Sequence, residues 1–116
     1  MTGWTKGWRG GLRLAPLLAL LAVPAAAQDE DDARLRAWGT AKCAAYAKAW
    51  DAVLLGQGTE GLGADFLRGN EAFIASGCRE GREVCPQGPQ EIAAADMLTI
   101  AAMNMGAAST FLPFRC

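Results

Sequence analysis

Four cysteines, Cys43, Cys78, Cys85 and Cys116, lie in a chain of 116 residues that contains no histidine. Without imidazole, mixed Cys/His zinc sites and Ser-His or Cys-His nucleophile pairs are excluded. The closest two cysteines, Cys78 and Cys85, are too far apart for a C-x-x-C motif, which argues against thiol redox chemistry and c-type haem attachment. An even number of cysteines in so short a chain reads instead as two disulfides. Such cross-links are the usual reinforcement where an apolar core is too small to hold a fold alone.

Disulfides require an oxidising compartment, and the N-terminus carries a matching address. Residues 1–13 include Lys6, Arg9 and Arg13 without an acid, Leu14–Val23 is apolar, and Ala25-Ala26-Ala27 supplies small residues for cleavage. This pattern predicts a secretory leader over 1–27 and a single small domain over 28–116, periplasmic or secreted. The apolar run is half of the roughly 20 residues that a bilayer span needs, so no membrane span is expected in the processed chain. Cleavage would remove three basic groups and no acidic one, leaving an acidic domain. Nucleic acid is therefore not an expected partner, since its binders carry a basic surplus.

The remainder reads as three helices. The Ala-rich stretch that follows the acids Asp29 to Asp32 and runs to Gly56 places Leu35, Gly39, Cys43, Tyr46, Trp50 and Val53 on one face, with Asp31 or Asp32 as the natural N-cap. Gly39 is expected to cost about 1 kcal/mol relative to alanine unless something packs against it. Gly56 to Gly63 forms a loop. Its Gly56-x-Gly58-x-x-Gly61 spacing matches a dinucleotide fingerprint but lacks the preceding strand which that site needs. A second helix, capped by Asp65, aligns Phe66, Asn70, Phe73 and Gly77, the last at the position of a terminating glycine.

A third helix starts at Gln87-Gly88-Pro89, with proline in its favoured first turn. It is apolar nearly all round, which predicts a helix at the centre of the bundle. Asp96 is the only ionisable side chain between Ile92 and Phe114. It is therefore a candidate buried carboxylate that acts as a proton- or ligand-sensing group, the other readings being a salt bridge to Arg115, Arg79 or Arg82 or a position at the rim of the helix packing. The expected fold is all-α: a small three-helix bundle, made of a helical hairpin plus a central apolar C-terminal helix, stapled by two disulfides.

Four cysteines allow three pairings. In an antiparallel hairpin of the first two helices, Cys43 and the end of the second helix come level at 1.5 Å rise per residue, which favours Cys43–Cys78. Cys85 and Cys116 then pair if the tail runs back along the third helix. The alternative, Cys43–Cys116 with a short Cys78–Cys85 loop, stays open.

The order Cys43, long gap, Cys78-x₆-Cys85-Pro86, helix, Cys116 resembles that of the periplasmic immunity proteins that neutralise type VI secreted amidases. The small size and helical hairpin are also similar to the acid-stress periplasmic chaperones. Both resemblances imply an exported helical protein with a protein partner. No residue set asks for a cofactor or a metal. Between Cys78 and Cys85 lie Arg79, Glu80, Arg82 and Glu83, whose alternating charges suit directional pairing with a protein surface. The expected function is thus non-enzymatic binding of another protein, in the manner of a chaperone, inhibitor or immunity protein. The alternative is a small hydrolase or lipid-binding protein that uses Asp96 or Ser109 in an apolar groove.

Overall fold

The computed structural model describes residues 25–116, so the predicted leader lies outside the described residues except for its last three. Helix α1 spans Ala25–Gly56, α2 Ala64–Ala75 and α3 Gly88–Asn104, followed by a 3-10 turn at Ser109–Phe111. The chain divides after Ala33 into two units, and the second, Arg34–Cys116, holds both disulfides and the described core. Asp31 and Asp32 do not cap α1, because both lie inside the helix, which includes Ala25 and every residue from there to Gly56. Alanine is the strongest helix former, and an aspartate beyond the first turn does not stop a helix that has nucleated before it.

Antiparallel pairing of α1 and α2 is set by residues that recur along one face of each helix. Cys43 is bonded to Cys78 with a Cα–Cα distance of 5.4 Å, and Tyr46 packs edge-on against Phe73 with ring centroids 5.1 Å apart. One turn further along α1, and two turns back along α2, Trp50 meets Phe66 at 6.0 Å. Cys43, Tyr46, Trp50 and Val53 are buried as their spacing predicts, but Leu35 is 68 % exposed. The reason is length: at 1.5 Å per residue α1 runs well past its 12-residue partner, and Leu35 lies on the overhang.

α3 runs parallel to α2 and antiparallel to α1. Gln57 Nε2, just beyond α1, donates to the Gln90 carbonyl at 2.7 Å near the start of α3, while Trp38 lies beside Gly106 just past its end. α3 is not the central helix that its composition predicts. It buries Glu91, Ala94, Ala95, Leu98 and Ala102, and leaves Ile92, Met97, Ile100 and Met103 half or more exposed. Among the described residues α3 has two partner helices and their return segments to pack on, and these cover one face.

Two non-helical segments then climb back along the bundle. Residues 78–87 return past α2, and the tail after α3 buries Phe111, Leu112 and Pro113 against the hairpin. They join at a single parallel bridge, where Val84 N–H donates to the Pro113 carbonyl and Arg115 N–H to the Val84 carbonyl, both at 3.0 Å. Beyond it Cys85 is bonded to Cys116. The favoured pairing is the observed one, and the described residues contain three α-helices and no strand.

Two helical glycines have opposite roles. A Cβ on Gly69 would come within 2.6 Å of Cγ2 of the buried Val84, so this glycine is what lets the return segment lie against α2. Nothing approaches Gly39 within 4 Å. Gly39→Ala is therefore expected to stabilise the fold by about 0.5–1 kcal/mol through helix propensity. Gly69→Ala should destabilise it by about 1–2 kcal/mol, because overpacking outweighs the same propensity gain. Urea unfolding of the two variants checks both signs.

Candidate functional site

The charged segment Arg79–Glu83 is built on the end of α2. Ser76 caps that helix, Gly77 follows at φ 75°, and Cys78 sits at φ 61°. Gly77 N–H donates to the Ile74 carbonyl at 3.0 Å and Cys78 N–H to the Phe73 carbonyl at 2.9 Å, the two bonds of a Schellman motif. Cys78 is the only described residue other than glycine with positive φ. Its side chain is 3 % exposed and tied to α1, so the surrounding contacts hold a backbone that β-carbon sterics disfavour.

Ser76 also orders the loop. Its hydroxyl donates to the Phe73 carbonyl at 2.7 Å and accepts from the N–H groups of Arg79 at 3.2 Å and Glu80 at 3.0 Å. One side chain thus satisfies two loop donors that would otherwise need water. Gly81, at φ 76°, turns the chain so that Val84 can enter the core. At the far end Val84 is pinned by the bridge to the tail and Cys85 by its disulfide. The loop is therefore fixed covalently at both ends, to two different parts of the fold.

Open clefts flank it on two sides. One, of about 620 Å³, is lined by Asp65, Gly69, Glu83, Val84, Gln87 and Glu91. The other, of about 500 Å³, is lined by Gly39, Cys43, Ala47, Ile74, Ser76 and Arg79. The loop is a ridge with an acidic side and a side that carries Arg79 over small and apolar groups. Arg79, Glu80 and Glu83 are exposed, whereas Arg82 is half-buried and its Nε meets no acceptor among the described residues.

Asp96 is not buried: it lies on the exposed face of α3, and among the described residues no ion pair joins it to Arg115, Arg79 or Arg82. The buried reading took an apolar helix to be enclosed on all sides, whereas α3 is covered on one face. Ser109 is exposed as well, at the start of the 3-10 turn. Asp65 does not cap α2. The N-cap is Gly63, and Asp65 sits in the first turn with its carboxylate 2.5 Å from Arg68.

The buried carboxylate is Glu91, at 6 % exposure. Its Oε2 accepts from Gly63 N–H at 2.9 Å and its Oε1 from Gln87 N–H at 3.0 Å. These are the N-cap residues of α2 and α3, so one side chain satisfies a donor at the start of both helices. An acid shortly after Gly88-Pro89 is the signal that could have pointed to it. A second polar contact lies inside the core, where Tyr46 donates its hydroxyl proton to Asn70 Oδ1 at 2.5 Å and Asn70 Nδ2 donates to the Phe66 carbonyl at 2.9 Å. Burial pushes the Tyr46 phenol above its ordinary range.

Among the described residues no cluster of three or more acidic or cysteine side chains stands ready for a metal ion, and no helix is long and apolar enough to cross a membrane. Compared with protein-family models, curated proteins and solved structures, the chain finds no match in any of the three.

Proposed function

We propose that the chain is an exported, non-enzymatic helical module that binds another protein through the ridge Arg79–Glu83. The observation that carries this reading is the double clamp: one disulfide at each end of the segment, with Ser76 ordering the backbone between them. A loop held this way has already lost its conformational freedom, so binding through it costs little further ordering. The leader pattern over 1–27 and the two disulfides support export to an oxidising compartment.

The charges define the surface that fits. A partner would place a carboxylate opposite the exposed Arg79, and a cation opposite Glu83 and Asp65. Co-purification of the protein from its native exported fraction is expected to return a stoichiometric protein partner. Arg79→Glu with Arg82→Glu should then weaken that complex by about tenfold or more, since interfacial charge reversal adds repulsion where there was attraction. Melting should stay close to that of the wild type for Arg79→Glu alone, because Arg79 is exposed and makes no ion pair among the described residues, so that variant separates lost binding from lost stability. Unchanged affinity would remove the ridge from the interface, and bound lipid in place of a protein would support a lipid-binding function instead.

A further inference from the structure

α3 presents an unpartnered apolar stripe on its outer face. Ile92, Met97, Ile100 and Met103 are 50 %, 50 %, 60 % and 59 % exposed, whereas isolated exposed apolar side chains are the ordinary case on a protein surface. Their spacing follows one side of the helix over about 16 Å, the footprint of about three turns of a second helix. Near the middle of this stripe stands Asp96, exposed, the one ionisable group on it, and without a hydrogen bond or ion pair among the described residues.

We propose that this face docks an amphipathic helix of a partner protein that carries a lysine or arginine in the middle of its apolar stripe. Charge selects this occupant from the others that an apolar face could take. A second copy of the chain, packed α3 against α3 about a twofold axis, would bring two Asp96 carboxylates together near the axis. An anionic lipid surface would meet the same carboxylate with like charge. A partner helix with a central cation covers the apolar side chains and pairs Asp96 at once, and the two methionines adapt to its shape. The proposal does not depend on the ridge Arg79–Glu83.

The probe is a pair of labelled synthetic helices, identical except for a lysine or a glutamate at the midpoint of a leucine stripe, titrated with the full processed protein. The lysine helix is expected to bind about tenfold or more tightly than the glutamate helix, and Asp96→Lys should invert that preference. Ile100→Glu should abolish binding of both, while circular dichroism shows the fold intact, since the substituted side chain is exposed. Arg79→Glu with Arg82→Glu should change neither titration, so a failure here is distinguishable from a failure of the ridge. Equal affinity for the two helices, no binding of either, or no inversion by Asp96→Lys would overturn the proposal. Self-association that Ile100→Glu abolishes would assign the face to a second copy, and Ile100-dependent binding to phosphatidylglycerol vesicles would assign it to lipid. Either result also overturns it.

Discussion

Replacing Cys43 and Cys78 together by serine is expected to destabilise the fold by about 4 kcal/mol, the loop-closure entropy of a cross-link spanning 35 residues. Small domains have total stabilities of only about 5–15 kcal/mol, so this loss takes most of the reserve at the lower end of that range. The Cys85–Cys116 link spans 31 residues, and its entropic contribution is nearly the same. Any excess cost at Cys43–Cys78 therefore reports the packing of sulfurs whose residues are 8 % and 3 % exposed. It also reports the positive φ of Cys78, which the link to α1 helps to hold. Thermal unfolding of the double variant should show its transition at or below 37 °C. An unchanged melting temperature, in the variant or in reducing agent, would mean that the core suffices alone.

Tyr46→Ala is expected to cost about 3–5 kcal/mol, the range for truncating a large buried aromatic. Tyr46 is 1 % exposed and its ring meets both Phe73 and Phe111. Tyr46→Phe isolates the polar part: it leaves Asn70 Oδ1 buried without its donor, for about 1–3 kcal/mol. The pH dependence has a definite sign. Because the folded phenol titrates above the unfolded one, its contribution is full below an unfolded pKa of about 10 and is lost as pH rises beyond it. Tyr46 is the chain's one tyrosine, so tyrosinate absorbance reads this group alone. Its ionisation should coincide with alkaline unfolding, and Tyr46→Phe should remove that part of the alkaline slope. Titration near pH 10 in the folded protein would contradict the buried placement.

Periodicity and rise per residue made the hairpin legible. They put Tyr46, Trp50, Phe66 and Phe73 on inward faces and set Cys43 level with the end of α2, which favoured the observed pairing without excluding the alternative. Asn70 was also legible as inward-facing, but its partner across the hairpin was not, because no local pattern tells which aromatic carries the hydroxyl that reaches it. What the sequence could not show was how much of each helix would find a partner. Leu35 shares the register of the buried stripe yet lies where α1 outruns α2. α3 is apolar on faces that no described element covers, and Asp96 lies on one of them. The carboxylate that is buried, Glu91, owes its place to two helix N-termini that meet only in the folded chain.

The double clamp on Arg79–Glu83 is tested most directly by non-reducing peptide mapping of the protein recovered from its native host. The expected result is a chain that begins at Gln28, with peptides linked as Cys43–Cys78 and Cys85–Cys116 and no free thiol. In that pairing each end of the ridge is fastened to a different part of the fold. A Cys78–Cys85 peptide would close the segment on itself, and free thiols would leave it unfastened; either would contradict the account.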